Sequence, residues 1–167
     1  TGRGAWTPAA LDQALCQGDL VRAGKRSRAT VQLVNQAVLR IDQNTAMRLD
    51  NIAAEKEERS TLSLLQGALQ SFSRKPRSFE VSTPYLNGSV EGTEFVVRID
   101  GESTAITVLE GTVIAANDQG QVSVTPGQSA VAAKGEAPQA RTVVNPRDQV
   151  QWALYYPPVL SGQGDGP

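Results

Sequence analysis

The chain has 167 residues, of which 40% are apolar and 20% charged, and this suits one globular domain with tails. Its net charge of −1 gives no global field that favours nucleic acid or an anionic membrane surface. The absence of histidine removes the usual general base and the commonest metal ligand, and a single cysteine, Cys16, cannot form an intrachain disulfide. No apolar run reaches the roughly 18 residues that a membrane-spanning helix needs.

From Gly18 onward the sequence indicates short β-strands separated by turns. Gly and Pro fall between the apolar runs, which is typical of a turn-rich β protein. Met47, Leu49 and Ile52 continue the strand rhythm, whereas residues 53–60 are helix-prone in composition and are interpreted as a solvated hairpin tip. The other predicted strands are residues 19–23, 29–34, 37–41, 61–70, 79–81, 94–99, 104–115, 121–125, 130–133 and 141–144, and residues 73–77 are predicted to be a basic loop.

The two halves of this region resemble each other in the same order along the chain. Gly67 and Gly111 stand at the same place in one of the matches and are expected to mark equivalent bends. The pattern predicts an all-β fold, either β-solenoid-like or a coiled two-layer β structure, with an internal two-fold repeat. The matching segments are residues 39–42 with 97–100, 63–69 with 107–113, and 79–84 with 122–126.

Each candidate for chemistry has a simpler structural explanation. Residues 18–27 have the wrong glycine spacing for a phosphate loop, and Cys16 has no histidine partner. No group of Asp residues has calcium-loop spacing. We therefore predict no catalytic residues, no cofactor and no metal site. The carboxylates that could form a glycosidase pair each lie at a turn or on the polar phase of a strand: Asp19, Asp42, Glu91, Glu94, Asp100 and Glu110.

Two features are candidates for binding. Near the C-terminus, Trp152, Tyr155 and Tyr156 lie close together before two prolines, which end any helix. These aromatic residues either fold back to cover an open end of the β structure or form a patch that docks onto the next domain or a partner. Basic residues could also form an anion-binding edge, although a scattered, solvated set is the simpler interpretation: Arg22, Lys25, Arg26, Arg28, Arg74, Lys75 and Arg77.

Residues 18–29, GDLVRAGKRSRA, resemble the GD-x-V-R-x-G-x-x-S-R-A stretch that opens the β region of FecR-like domains. Further motifs of that family follow in its order, and the resemblance covers residues 6–146. The combination of motifs is specific, although each alone is weak. The later motifs are LLQG at 64–67, FEVSTP at 79–84, GTEF at 92–95, VLEGTV at 108–113 and PGQ at 126–128.

The resemblance implies an extracytoplasmic, solenoid-like β domain without catalytic residues. The best-known members belong to membrane-anchored regulators of a sigma factor that sense a TonB-dependent receptor of the outer membrane. Other members join the domain to peptidoglycan-binding modules or to tetratricopeptide repeats. This chain departs from the regulator pattern, because it shows no cytoplasmic helical segment, membrane helix or C-terminal signalling subdomain. Residues 148–160 resemble the junction into helical repeats, which favours the tetratricopeptide-joined type.

We therefore expect an N-terminal lead-in at 1–17, a FecR-like β domain at 18–146, and an aromatic segment with a disordered tail at 147–167. The predicted function is a non-catalytic binding and sensing module in the periplasm or another extracytoplasmic compartment. It would mediate protein–protein contacts in the bacterial envelope, in signal transduction or as a scaffold. Its partner would be another envelope protein or an adjacent domain of the same polypeptide, not nucleic acid. The alternative is a module that binds glycan or peptidoglycan.

Overall fold

The computed structural model describes residues 18–33, 37–51 and 59–142. Within these ranges the chain forms β-strands and no helix, so the predicted all-β class is confirmed. The strands are β1 Leu20–Ala23, β2 Ala29–Gln32, β3 Val38–Ile41, β4 Thr45–Asn51, β5 Arg59–Gln66, β6 Ala68–Ser82, β7 Asn87–Asp100, β8 Ser103–Asn117, β9 Gly120–Val124, β10 Gln128–Ala133 and β11 Gln139–Thr142.

The long strands β6, β7 and β8 form the centre of the sheet. The hydrogen-bonded ladders between them are interrupted at the same position along all three strands. The β6–β7 ladder is interrupted between Phe72 and Arg77, and the β7–β8 ladder shifts register next to Gly92. Both irregularities meet at Gly92, which pairs with Arg77 on one side and with Gly111 on the other. Bulges at one level bend and twist a sheet, so these strands change direction together there.

The bend divides the sheet into two parts, here called layer A and layer B. The strand path runs from β1 to β11 without closing, so the sheet is open. Layer A consists of β2, β3, residues 68–72, 94–100 and 103–110, β10 and β11. Layer B consists of β1, β4, β5, residues 77–82, 87–92 and 111–117, and β9.

The predicted basic loop at 73–77 is instead part of β6. The sequence SRKPR favours a loop because of its charges and proline. However, β6 continues through it, and only its ladder with β7 is interrupted there, between Phe72 and Arg77. The predicted strand 94–99 also begins earlier than expected, because β7 already starts at Asn87 and includes Gly88 and Gly92. Of the predicted hairpin tip at 53–60, Ser60 is a buried residue of β5, and residues 52–58 lie outside the described part.

The solenoid form and the internal repeat are not confirmed. A solenoid stacks successive coils through parallel ladders, whereas β5–β6 is the one parallel ladder among the described strands. In the first half Ile41 pairs with Leu69, after Gly67; in the second half the matched Ile99 pairs with Thr104, before Gly111. The two glycines are therefore not equivalent in the pairing. Both halves alternate apolar and polar residues, so their sequences look alike, but their strands pair with different partners.

Side chains from both layers share one hydrophobic core. Phe95 of layer A is 1% exposed and lies on the same strand face as Val97 and Ile99, as the alternation predicts. Its ring centroid is 5.7 Å from that of Phe79 in layer B, at an interplanar angle of 59°. Tilted aromatic pairs of this kind are favourable, and this one joins the layers at their centre.

A buried hydroxyl fixes the junction between β5 and β6. Thr45 is fully buried, and its Oγ1 accepts the Ala68 N–H at 3.0 Å and donates to the Ala68 carbonyl oxygen at 3.2 Å. The approach is so close that a Cβ at Gly67 would lie 2.6 Å from Thr45 Cα, and Gly67 also has a φ of +87°. The junction between β5 and β6 therefore requires both the glycine at position 67 and the hydroxyl of Thr45.

Replacing Thr45 with valine is expected to lower the free energy of unfolding by about 1–3 kcal/mol, because the isosteric side chain leaves the buried Ala68 N–H without its acceptor. A urea titration measures this loss. The control is Thr112→Val, since Thr112 is exposed on β8, and its effect should stay within about 0.5 kcal/mol. Equal effects of the two substitutions would show that the Thr45 hydroxyl has no special role.

Candidate interaction surfaces

The residues considered for chemistry are not brought into one site. In the described ranges no three His, Cys, Asp or Glu side chains are grouped so as to hold a metal ion, and Cys16 lies outside these ranges. Glu94 and Glu110 are opposite each other in the β7–β8 ladder but have different partners. Glu94 Oε2 accepts Gln70 Nε2–H at 2.7 Å, and Glu110 Oε2 accepts the Thr93 hydroxyl at 2.6 Å. Both carboxylates thus bond to the neighbouring strand.

The basic residues do not form a single edge. Arg26 donates its backbone N–H to Gln43 Oε1 at 3.2 Å, and Gln43 follows the C-terminal end of β3. Residues 74–77 lie beyond the opposite end of β3, because Val38, where β3 begins, pairs with Phe72. Sequence reasoning could group these residues by charge, but the β3–β6 register separates them. The scattered interpretation therefore fits the fold better than an anion-binding edge.

One of these basic residues belongs to a small ionic cluster. Asp42 Oδ1 accepts Arg28 Nε–H at 2.9 Å, and Asp42 Oδ2 lies 3.7 Å from Arg98 Nη2. The side chains are 32% exposed for Arg28 and 13% for Asp42, so solvent screens the pair in part and its contribution is modest. The cluster connects the turn after β3 to β7, and it gives Arg28 an ion-pair partner within the chain.

Large apolar side chains are exposed on both outward faces of the sheet. Phe72, 44% exposed, points outward from layer A, while Leu65 and Ile114, 44% and 49% exposed, point outward from layer B. The sequence analysis did not single them out. The signal was present, since Phe72 stands between Ser71 and Ser73, in the phase opposite to the core residue Leu69.

The outward faces of the two layers differ in the exposure of some of their residues. Each carries a set of outward-facing side chains that the ladders place side by side, here called row A and row B. Five side chains of row A are buried although they face away from the core, while Arg40 and Arg141 in the same row are half-buried and exposed. The side chains of row B are half-buried or exposed. Row A consists of Arg40, Arg141 and five buried residues, Thr30, Gln70, Val96, Thr107 and Ser129, which are 2%, 4%, 2%, 2% and 6% exposed. Row B consists of Thr61, Glu80, Ser89, Ile114 and Ser123.

The aromatic candidates Trp152, Tyr155 and Tyr156 lie outside the described residues, so their predicted binding role stays a prediction. Among the residues that are described, no helix has the length and apolar character needed to cross a membrane.

Comparison with solved structures shows where this architecture occurs. Two crystal structures of a candidate anti-sigma factor from Parabacteroides distasonis ATCC 8503, at 2.50 and 1.65 Å resolution, match with a TM-score of 0.68 and 16% sequence identity. The match covers 81% of this chain and 64% of that chain, so this chain spans less than two thirds of its length. At this identity the likeness shows the fold. No curated protein matches the chain.

The family comparison agrees with the motifs in the sequence. A model described as FecR protein matches residues 19–114, more than half of the chain. The match begins within the GDLVRAGKRSRA motif at 18–29, which forms β1, the following turn and the first residue of β2. The comparisons do not bear out a link to tetratricopeptide repeats. Because the family model spans the sheet from β1 into β8, the chain belongs to the FecR protein family.

Proposed function

We propose that this chain is a non-catalytic sensing module of the bacterial envelope that regulates signal transduction by binding another protein outside the cytoplasm. The observation that carries this proposal is the FecR match over residues 19–114. The likeness to a candidate anti-sigma factor supports a regulatory role. Because this chain spans 64% of that protein, only the sensing part of such a regulator is proposed here, as a module at residues 18–146.

The open surface of layer B supports a binding role. Ile114, at 49% exposed, is the most exposed of the large apolar side chains described, and in row B it is flanked by Ser89 and Ser123. An exposed apolar residue within a polar surround is the usual composition of a contact with a protein partner. The partner that fits is an envelope protein offering an apolar side chain to Ile114 and hydrogen-bonding groups to the hydroxyls beside it.

A glycan or peptidoglycan ligand is the second candidate, and one observation favours it. Row B is rich in hydroxyl groups, with Thr61, Ser89 and Ser123 on adjacent or nearby strands, and Ser89 donates to Glu80 Oε1 at 2.6 Å. Hydroxyl and carboxylate groups on such a face can hydrogen-bond to sugar hydroxyls.

The aromatic residues Trp152, Tyr155 and Tyr156 are proposed to make a contact with a partner or with an adjacent part of the same polypeptide. Tyr and Trp combine an apolar ring with a polar tip, which suits them to such contacts. Their segment follows the proposed module at residues 18–146 in the sequence.

A binding experiment separates the two ligand classes. The chain is immobilised and exposed to bacterial envelope extract, and in parallel it is sedimented with purified, protein-free peptidoglycan. We expect stoichiometric retention of an envelope protein by the chain and loss of that retention in Ile114→Glu. The matched control is Gln139→Glu, which adds the same charge at an exposed position of β11 in layer A and should retain the partner. Sedimentation with peptidoglycan would establish the second candidate, and failure of both assays would refute the proposed function.

A further inference from the structure

The way in which β6 crosses the bend differs from the way in which β7 and β8 cross it. Where the β6–β7 ladder is interrupted, β6 has the four residues 73–76, while β7 has only Thr93. β7 and β8 cross the bend in close contact, because a Cβ at Gly92 would lie 2.6 Å from Gly111 Cα. The bend itself therefore does not explain the extra residues of β6, here called the β6 bulge.

The β6 bulge projects to the outside of the bend. The inner side of the bend is filled by the core that both layers share, and Ser73, at the start of the bulge, is 4% exposed. Arg74, Lys75 and Pro76 are all exposed. Phe72, directly before the bulge, is 44% exposed on the outward face of layer A. Phe72 and the bulge thus form a convex feature with an aromatic ring, two cations and a proline.

The two cations have no counter-charge within the part of the chain that the structure describes. Neither Arg74 nor Lys75 forms an ion pair or a side-chain hydrogen bond there. Charged residues and prolines often protect edge strands from pairing, but β6 is a central strand that pairs with β3 and β5 on one side and β7 on the other. Protection of an edge therefore does not explain these residues.

We propose that Phe72 and the β6 bulge form a site that binds the surface of an anionic lipid bilayer. Arg74 and Lys75 lie against the headgroup phosphates, and the Phe72 ring enters the boundary between the headgroups and the acyl chains. A stable contact with a protein buries about 800 Å² on each partner, which a convex feature of a few residues reaches only in a matching groove. A bilayer needs no such groove, because its headgroups rearrange around a side chain that enters it.

Hydrogen bonds within the chain satisfy part of the backbone of the bulge. The Ser73 hydroxyl donates to the Lys75 carbonyl oxygen at 2.7 Å, and Arg77 Nη1–H donates to the Pro76 carbonyl oxygen at 3.1 Å. Pro76 has no backbone N–H. Backbone polar groups that leave water without a partner are costly, so these bonds lower the cost of placing the bulge against lipid.

Exposed carboxylates decide which side of the bend faces the lipid. Glu110 lies on β8, two strands and about 10 Å from β6, and it accepts the Thr93 hydroxyl at 2.6 Å. Glu91 lies on the layer B side of Gly92. Salt at about 0.1 M substantially screens exposed charges that are about 10 Å apart. The β6 side of the bend is therefore the side that meets an anionic surface, and the net charge of −1 adds no attraction at long range.

Vesicle binding tests the role of the charges. The chain is sedimented with vesicles of equal parts phosphatidylcholine and phosphatidylglycerol, and with vesicles of phosphatidylcholine alone. We expect binding to the first kind only, and weaker binding as salt is added. Arg74→Gln with Lys75→Gln should lower the binding constant roughly fivefold for each charge removed. The matched control is Lys25→Gln with Arg26→Gln, which removes two adjacent exposed cations from the turn after β1 and should leave binding nearly unchanged.

Fluorescence tests the position of the ring. In a chain with Trp6→Phe and Trp152→Phe, the substitution Phe72→Trp supplies the only indole. Its emission should shift to the blue when the anionic vesicles are added, and lipids with brominated acyl chains should quench it. Ile114→Trp on layer B, in the same background, should show neither change.

The proposal is wrong if the chain does not bind the anionic vesicles, or if the two double variants lose binding equally, since only total charge would then matter. It is also wrong if the indole at position 72 keeps its emission when the vesicles are added. Retention of an envelope protein that Arg74→Gln with Lys75→Gln abolishes, without vesicle binding, would make the bulge a protein contact instead. The protein-binding role proposed above is tested by Ile114→Glu, so the two proposals can fail independently.

Discussion

Replacing Phe95 with alanine is expected to lower the free energy of unfolding by about 3–5 kcal/mol, because it removes a fully buried ring and leaves a cavity. Phe95 is 1% exposed and contributes layer A's half of the Phe79–Phe95 contact, at 5.7 Å between centroids. The cavity opens between the two layers at the centre of the core. The surrounding strands are held by their ladders and cannot collapse into it, which places the loss in the upper part of the usual range.

A urea titration followed by circular dichroism measures the loss, and the chain offers a matched control. Phe72 is 44% exposed on the outward face of layer A, so Phe72→Ala removes the same atoms from a partly solvated position. Its cost should remain below about 1 kcal/mol. If Phe95→Ala cost no more than Phe72→Ala, the layers would not be joined through this contact.

Replacing Gly111 with alanine is expected to cost about 2–5 kcal/mol, since the left-handed backbone costs roughly 1–2 and the forced contact roughly 1–3. Gly111 has a φ of +130°, and a Cβ there would lie 2.4 Å from the Glu91 carbonyl oxygen and 2.6 Å from Gly92 Cα. These obstacles are backbone atoms, so no side chain can rotate away to relieve the contact. The two strands would have to separate at the bend.

The control isolates the contribution of the backbone conformation. Gly127 has a φ of +88°, but a Cβ there meets nothing within 4 Å. Gly127→Ala should therefore cost only the conformational part, about 1–2 kcal/mol. Thermal unfolding of both variants under the same conditions gives the difference. A Gly111→Ala chain as stable as Gly127→Ala would mean that the strands at the bend have room for a side chain.

Strand content could be predicted from the sequence because period-two alternation is a local property. Phe95, Val97 and Ile99 show it plainly, and their shared core face is confirmed. The sequence predicts a bend at Gly111 but not its pairing with Gly92, because the two glycines meet only when β7 and β8 pair. The same limit explains the predicted repeat: similar alternation gives similar strings, whereas ladder partners depend on residues far away in the chain.

The candidate surfaces, too, could be predicted from the sequence only in part. Charge and residue type indicated that no catalytic or metal-binding group was to be expected, and the family motifs indicated a FecR domain, which the family match confirms. The exposure of the outward-facing residues could not be predicted from the sequence. Val96 and Ile114 occupy the same phase relative to the core, yet one is 2% and the other 49% exposed.

The bend in β6, β7 and β8 has a consequence for how the domain opens. In a sandwich whose strands each belong to one sheet, the sheets are held together by packing and can separate while each stays intact. Here each central strand continues covalently from one layer into the other, so β7 and β8 can stay paired at Gly92 and Gly111 while the packing between the layers loosens. We therefore expect the core to open by hinging at this bend rather than by separation of two independent sheets.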